Sequence, residues 1–138
     1  MGNNTIHLNI SSSAKTICDK DVAYVELPLS TGPYGIMHAH AKMFADVITG
    51  VGFYRTTDGD VQYFATSGGV MEISENGVVF LARTVELAES IDVDRAKLSE
   101  EKAREKLRAN TNDQEMKKAY VSLYKSLARQ KAYAMSKR

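Results

Sequence analysis

The segment from Glu86 to Ala96 carries the side chains best suited to binding chemistry. It combines carboxylates at Glu86 and Asp92, apolar contacts at Ile91 and Ala96, and a cation at Arg95. A helix predicted to begin here would offer free backbone N–H groups, and an acid can accept a hydrogen bond from an exocyclic amine. Two interpretations stay open, a non-catalytic purine nucleotide site or a capped helix start with ordinary charge pairs. The residues by themselves favour the second.

A pair of histidines, His38 and His40, is the most metal-like feature of the chain. On a strand, residues i and i+2 share one face, and His7 or Asp46 could supply a third ligand. No carboxylate lies near the pair in a recognised ligand spacing, and neutral histidines are common at interfaces. We therefore predict surface or interface polar groups here and no metal site.

Sequence motifs of catalysis are missing. No Gly-x-x-x-x-Gly-Lys-Ser/Thr motif is present, and Gly68-Gly69 lies between predicted strands rather than at the start of a helix. Cys18 is the one cysteine and has no partner for a disulfide or a CxxC motif. No local sequence suggests a Ser-His-Asp set.

Composition narrows the class of partner. The 138 residues carry a net charge of +1, whereas a general nucleic-acid binder needs a basic excess. Thirteen Lys and Arg residues follow position 85, but nine acids are interleaved with them, which is typical of a solvated helix surface. No apolar run approaches the ~18 residues of a membrane span, and the first residues do not resemble a secretory signal. We expect neither nucleic-acid binding nor membrane insertion.

A change in composition near residue 85 divides the chain into two predicted parts. All nine glycines and both prolines lie before residue 78, and the helix-compatible stretch after it has neither. Residues 1–85 carry a charge of −3 and residues 86–138 a charge of +4. Because Gly and Pro punctuate turns, their absence favours long helices. We predict a β domain at 1–85 and a helical domain at 86–138.

The first part shows the patterns of strands. Residues 6–10 alternate apolar and polar side chains, and residues 22–29 are rich in β-branched and aromatic types. Asp58-Gly59 and Asn76-Gly77 each stand between two strand-like runs, a strong hairpin signal. Many short strands with no helix between them predict an antiparallel β-sandwich or barrel, and two stacked sheets would bury the alternating faces.

The second part is predicted to be a two-helix antiparallel hairpin. Asp92 is suited to cap helix one, and residues 110–113 form the turn, with Asp113 capping helix two. Helix one would bury a seam of Ala96, Ala103 and Leu107. Helix two would bury a heptad seam of Met116, Tyr120, Leu123, Leu127 and Ala134. Such small seams bury little area, so we expect a weakly held appendage on a firmer β domain.

The segment at 35–41 reads Gly-Ile-Met-His-Ala-His-Ala. The run at 63–73 contains Ser-Gly-Gly, and residues 78–84 include Leu-Ala-Arg-Thr. These segments resemble the Gly-Ile-Leu-Pro-x-His-Ala, Ser-Gly-Gly and Leu-Ala-x-Thr segments of the epsilon subunit family of bacterial F-type ATP synthases. The resemblance implies a β-sandwich followed by two helices, and a subunit without catalysis of its own. The family's two prolines are replaced by His38 and Lys42.

The resemblance also implies partners. An epsilon subunit lies in the central stalk, at the cytoplasmic face of the bacterial cell membrane, and helps to couple ion flow to ATP synthesis. It contacts the gamma subunit and the c-ring, and its extended tail enters the alpha/beta catalytic head and obstructs ATP hydrolysis. His38, His40 and Lys42 are the implied partner contacts. Two other hypotheses remain open at this point, a free-standing nucleotide-sensing module and a coiled-coil adaptor.

A regulatory ATP site is implied by one further motif of the resemblance. Some bacterial epsilon subunits bind ATP through Ile/Leu-Asp-x-x-Arg-Ala, which Ile91-Asp92-Val93-Asp94-Arg95-Ala96 matches in full. The family's acid falls at Glu86, and its further basic contacts fall at Lys102, Lys125 and Arg129. Two of these three are Lys, which lacks the guanidinium fork for phosphate, so a weaker site is expected. No cofactor is required by this interpretation.

Overall fold

A computed structural model describes residues 4–38, 40–109 and 112–138. Over these residues the chain forms nine β-strands, a 3-10 turn at Ala88–Ser90 and two α-helices. The strands are β1 Ile6–Ser11, β2 Thr16–Leu29, β3 Gly32–Ile36, β4 Met43–Val47, β5 Gly50–Thr56, β6 Val61–Thr66, β7 Gly69–Ser74, β8 Gly77–Ala82 and β9 Val85–Leu87. The helices are α1 Val93–Ala109 and α2 Asp113–Ser136. The predicted β-sandwich followed by a helical pair is confirmed.

The long strand β2 joins the two layers of the sandwich. Its first half pairs with β1, and its second half pairs with β3 on one edge and β5 on the other. The register between β2 and β5 shifts between Val22 and Tyr24, and such a bulge bends a strand. The full hydrogen-bonded order is β4-β7-β8-β1-β2-β5-β6-β9, with β3 attached to β2. One pair, β1 with β8, is parallel, which the expectation of an antiparallel sandwich did not include.

The sandwich core is built from alternate residues of the strands. In β1, Leu8 and Ile10 are buried while His7 points to solvent, as the period-two pattern predicted. In β2, Val25 and Leu27 are buried at alternate positions in the same way. Two buried phenylalanines, at 64 and 80, fill the space between the layers. Large side chains interdigitating between two sheets give this part of the chain its main source of stability.

Both predicted hairpins are present. Asp58-Gly59 lies in the turn between β5 and β6, and Asn76 lies in the turn between β7 and β8, with Gly77 as the first residue of β8. Gly59 has a φ of 94° and Gly77 a φ of 125°. Residues that carry a side chain rarely adopt these φ values, so glycine can occupy each position without strain.

The helix starts follow the capping rules. The Asp92 carboxylate accepts a hydrogen bond from the Arg95 backbone N–H at 3.1 Å, which confirms it as the cap of α1. Asp113, which we expected to cap α2, is instead the first residue of that helix. The cap is Asn112, whose side-chain oxygen accepts from the Glu115 N–H at 2.9 Å. Either residue type serves at this position, so the sequence alone left the choice between neighbours open.

The predicted seam of α1 is largely confirmed, and the heptad seam of α2 is wrong in part. Ala96 and Ala103 are buried, and Leu107 is half-buried. In α2, Leu123 is buried, but Tyr120 is 44% exposed and Leu127 37% exposed. The buried positions of α2 are Ala119, Leu123, Ser126, Ala128 and Ala132. A single seam fails because α2 packs against two partners, α1 on one side and the sheet on the other.

Strand β9 gives a test of where the sandwich ends. Val85 is buried, and β9 pairs with β6 as the last strand in the order of the sheet. We expect a fragment of residues 1–90 to unfold cooperatively, and a fragment ending at residue 84 to be less stable by about 2 kcal/mol, the burial value of one valine. Urea denaturation followed by circular dichroism measures both. An unfolded 1–90 fragment would contradict a sandwich that is stable without its helices.

Candidate functional site

The helical pair docks on the sandwich through α2. This helix packs against β5, β6 and the 3-10 turn, whereas α1 packs on α2. The apolar part of the contact is a buried cluster of mostly small side chains, which we call the alanine cluster: Ala65, Ala88, Ile91, Ala128 and Ala132. The half-buried side chains of Val51, Tyr63 and Tyr133 pack against it. Methyl-sized side chains let a helix approach a sheet closely, but each one buries little area. The docked position therefore depends also on polar contacts.

An ion pair joins α2 to the sandwich. The Arg129 Nε donates to the Glu86 Oε1 at 2.9 Å, and both side chains are about a quarter exposed, at 23% and 29%. Glu86 belongs to β9, so this contact crosses from the sheet to the tail. Arg129 and Glu86 are 43 positions apart in sequence, and their contact can form only when the tail is docked.

A second carboxylate ties the two helices together. Glu100 of α1 accepts from the Gln130 amide at 2.8 Å and from the Arg104 guanidinium at 2.8 Å. The hydrogen bond from Gln130, and after it the one from Arg104, lowers the pKa of Glu100. Residues 100 and 104 also form an i,i+4 ion pair in the favourable order along the helix.

A cavity of about 260 Å³ opens beside the ion pair, between the sandwich and α2. We call it the interface cavity. Its lining includes three of the residues implied to bind ATP, namely Glu86, Lys125 and Arg129. Lys15 also lines it, together with the polar side chains Thr66, Ser67 and Thr84. Three cations and one carboxylate give the interface cavity a net positive charge, which favours an anion.

The rest of the implied ATP set lies elsewhere. Ile91 and Ala96 are buried, and Ile91 packs in the alanine cluster. Asp92 caps α1, and Arg95 is exposed. Lys102 lines a separate groove between α1 and α2, of about 200 Å³, rather than the interface cavity. The structure thus brings Glu86, Lys125 and Arg129 together and leaves Lys102 apart, and ATP binding stays a prediction.

The histidine segment forms a local hydrogen-bond network. The His40 Nδ1 donates to the Ala41 carbonyl at 2.9 Å, because a carbonyl can only accept. The Nε2 of the neutral ring therefore accepts from the Tyr34 hydroxyl at 3.0 Å. His38 and Lys42 are exposed, and their role in partner contact stays a prediction. Across residues 4–38, 40–109 and 112–138, no group of three His, Cys, Asp or Glu side chains is placed to hold a metal ion.

His7 contacts two carboxylates on the sandwich surface. Its Nδ1 lies 2.9 Å from the Asp21 carboxylate and its Nε2 lies 2.8 Å from that of Asp19. The hydrogen bond to Asp21 is the main cause that raises the pKa of His7 above 6.5, and the bond to Asp19 adds to it. The contact links β1 to β2, because the two acids stand on the strand opposite His7.

Sequence reasoning missed an exposed apolar face on β4, β7 and β8, which we call the outer face. Phe44 is 78% exposed, and Val70, Val79 and Leu81 are also exposed. Val70 lies opposite Leu81 in the register of β7 and β8, so these side chains form one patch. Strand β4 was not predicted, and the apolar residues at outward positions of the neighbouring strands were the available signal. Patches of this kind mark interaction surfaces.

Comparison with family models covers both parts of the chain. Residues 5–88 match the model described as ATP synthase, Delta/Epsilon chain, beta-sandwich domain. Residues 89–133 match the model described as ATP synthase, Delta/Epsilon chain, long alpha-helix domain. The chain belongs to the ATP synthase Delta/Epsilon family.

Relatives in this family agree over nearly the full length. The ATP synthase epsilon chain of Desulfitobacterium hafniense (strain Y51) is 34% identical over 125 residues, which is 91% of this chain and 93% of the relative. That of Syntrophomonas wolfei is 32% identical over 132 residues, which is 96% of each chain. The present chain is thus a Delta/Epsilon subunit of the epsilon type and is non-catalytic.

Solved structures share the fold. A chain in the mitochondrial ATP synthase of Euglena gracilis, solved with OSCP, F1 and c-ring, aligns with a TM-score of 0.82 at 18% identity. The alignment covers 93% of this chain and 81% of that one. A chain in the central stalk and c-ring of the Tetrahymena thermophila mitochondrial enzyme aligns with a TM-score of 0.65 at 12% identity, over 92% and 95%. In the described part of this Delta/Epsilon chain, no helix has the length and apolar character that crossing a membrane requires.

Titration of His7 is a test of the sandwich electrostatics. Because its folded pKa lies above 6.5, the charged ring stabilises the fold fully below that pH, and the contribution is lost as the pH rises through the raised pKa. We expect the stability lost on His7→Asn to be larger at about pH 5.5 than at about pH 8.5. Urea denaturation at both values measures this. A loss that is equal at both pH values would contradict the charged contact with Asp19 and Asp21.

Proposed function

We propose that this chain works in the central stalk of an F-type ATP synthase, where it helps to couple ion flow to ATP synthesis and restrains ATP hydrolysis. The sandwich binds the gamma subunit and the c-ring, and the helical pair is the regulatory tail. The complex places the chain as a peripheral protein at the cytoplasmic face of a bacterial membrane. Support comes from membership of the Delta/Epsilon family and from relatives that carry the name ATP synthase epsilon chain.

The observation that carries this proposal is the difference in packing between the two parts. Within the described part of the chain, eighteen buried side chains, including two phenylalanines, form the sandwich core. Four of the five buried residues in the alanine cluster are alanines, and only half-buried side chains add to it. A buried methylene-sized group contributes only about 0.8 kcal/mol. The tail can therefore leave the sandwich at a small cost in free energy while the sandwich itself stays folded, as a switching element must.

The outer face supplies a surface for the gamma subunit. Phe44, Val70 and Leu81 expose apolar area on a sheet that is otherwise firmly packed, and a rotor subunit needs a rigid, permanent contact with its neighbour. The c-ring contact falls on the segment with His38, His40 and Lys42. His40 is held by Tyr34 and the neighbouring carbonyl, so this segment presents its exposed polar groups in a fixed arrangement.

The tail carries a second exposed apolar surface, suited to the alpha/beta catalytic head. Tyr120, Val121 and Tyr124 of α2 are exposed while the tail is docked, and the two tyrosine rings stack at 6.2 Å. An extended tail would bury this stripe against the head. The net positive charge of the tail would add attraction to acidic surfaces there.

ATP is the proposed regulatory ligand, and no permanent cofactor is needed. Glu86, Lys125 and Arg129 already share the interface cavity, and Ile91, Asp92, Arg95 and Ala96 lie at the start of α1. A ligand that binds only the docked tail stabilises that state by RT ln(1 + [L]/Kd), about 2.7 kcal/mol at a hundredfold excess over Kd. That value is large enough to reverse a gap of about 1–2 kcal/mol between the tail positions.

Removing the tail tests its role. We expect a complex whose chain lacks residues 88–138 to assemble normally and to hydrolyse ATP at least about twofold faster, since a tail that blocks half of the complexes halves the rate. Hydrolysis is measured without activating detergent, with the full-length complex as the control. Unchanged hydrolysis would contradict an inhibitory tail. Failure to co-purify with gamma from native membranes would instead favour a free-standing sensor or adaptor.

Calorimetry tests the ATP site. We expect the isolated full-length chain to bind one ATP, and Arg95→Ala to lose most of the heat because it removes the cation on the base side of the proposed pocket. Lys97→Ala, which removes a neighbouring cation outside the motif, serves as the matched control and should bind normally. Absence of binding at millimolar ATP would reduce the motif to the capped helix start that the residues by themselves favoured.

A further inference from the structure

We propose that Lys15 completes an oxyanion site in the interface cavity, which takes a phosphate group between the sandwich and α2. Lys15 belongs to the turn before β2 and is not part of the motif that implies ATP binding. The site deepens the proposed function, because a ligand held from both sides would stabilise the docked tail. Its chemistry does not depend on the chain's place in the ATP synthase.

The net positive charge of the residues that line the interface cavity favours the binding of an anion. Lys15, Lys125 and Arg129 line it, and Glu86 is the one acid in its lining. Glu86 pairs with Arg129, and among residues 4–38, 40–109 and 112–138 no carboxylate lies within ion-pair distance of Lys15 or Lys125. Docking the tail thus brings together two cations that repel each other until an anion lies between them.

The three cations are held by elements that belong to different parts of the fold. Lys15 stands in a turn whose backbone is fixed by the Ser12 N–H donating to the Lys15 carbonyl at 2.8 Å. The Ser12 hydroxyl oxygen accepts from the Ala14 N–H at 3.2 Å, which tightens the same turn. Lys125 and Arg129 are spaced i,i+4 on one face of α2, so they project into the interface cavity together.

The lining and size of the interface cavity favour a phosphate group over a whole nucleotide. Ser67 and Thr84 offer hydroxyl groups, linked by a hydrogen bond of 2.7 Å from Thr84 to Ser67, and hydroxyls can turn to serve phosphate oxygens. The volume of about 260 Å³ lies below the range of about 300–1,000 Å³ that is usual for drug-sized ligands. Inorganic phosphate and the phosphate end of a nucleotide share the chemistry that this site recognises.

The position of Lys102 strengthens the assignment. The resemblance implied this residue as the phosphate contact from α1, but Lys102 lines the separate groove between α1 and α2. Lys15 stands in the interface cavity and supplies the third cation from the sandwich instead. A phosphate bound there would contact the sandwich and α2 at once, and would be released when the tail leaves.

Hydrogen exchange of the full-length chain tests the site. Inorganic phosphate is titrated at constant ionic strength against chloride, and exchange is followed in the α2 segment that includes Lys125 and Arg129. If phosphate binds only the docked tail, exchange slows by the factor 1 + [phosphate]/Kd, which is about elevenfold at ten times Kd. We expect Lys15→Gln to weaken the Kd for phosphate about tenfold, the loss of one charged hydrogen bond.

Two controls separate this site from the proposed ATP motif. Lys117→Gln removes one charge from the exposed face of α2 and should keep the full effect of phosphate. Arg95→Ala should also keep it, because Arg95 lies outside the interface cavity, even if ATP binding is lost. Equal slowing in Lys15→Gln and the unaltered chain, or no slowing in the unaltered chain, would overturn the proposal.

A nucleoside arm identifies the group that is recognised. ATP should slow exchange less in Lys15→Gln than in the unaltered chain, and adenosine should have no effect. An effect of adenosine equal to that of ATP would place recognition on the base and overturn the phosphate site. The truncation and co-purification results do not depend on any of these outcomes, so failure here leaves the proposed function standing.

Discussion

The close contact of α2 with the β5–β6 face is the constraint on which the rest of the molecule's behaviour depends. Ala65 on the sheet and Ala128 and Ala132 on the helix keep the two backbones near each other. Larger side chains at these positions would push α2 outward and separate Arg129 from Glu86, whose atoms meet at 2.9 Å. The small residues thus set the distance at which polar groups from the sheet and the tail can meet, while they contribute little apolar burial of their own.

The sandwich supplies a platform that can tolerate a weakly attached tail. The strand β2 connects both layers, and large apolar side chains such as Phe64 and Phe80 fill the space between them. Because none of these core contacts involves the helices, loss of the tail leaves the core intact. This separation of a stable body from a small docking contact is the physical basis for a tail that changes position without unfolding its carrier.

Polar contacts select one docked arrangement among those that the apolar contact would allow. Glu86 in β9 fixes Arg129 on α2, and Glu100 fixes Gln130 across the helical pair. Each contact is partly exposed, so its net contribution to stability is modest and sensitive to salt and to ligands. The interface cavity beside these groups carries excess positive charge, and an anion there would act on the same equilibrium as the ion pair does.

The sequence by itself determined the features that depend on neighbouring residues. Alternation in β1, the glycines at 59 and 77 and the Asp92 cap are local effects, and each was predicted from a few adjacent residues. The family was recognisable from its motifs. Only the tertiary structure decided which face of α2 is buried. Tyr120 and Leu127 fit a heptad seam in the sequence, yet both are exposed, because α2 packs on a sheet and a helix at once.

The binding side chains also divide into those that the sequence identified and those that only the tertiary structure brought together. Glu86, Lys125 and Arg129 were identified from the resemblance and do share one cavity, whereas Lys102 is equally basic and lies elsewhere. Lys15 had no signal in the sequence, since it is a single exposed lysine more than a hundred residues from Lys125 and Arg129. Local patterns record the conformation of adjacent residues. The meeting of distant side chains depends on how β2 folds the sheet and how closely the alanines let α2 approach, and these are properties of the packed whole.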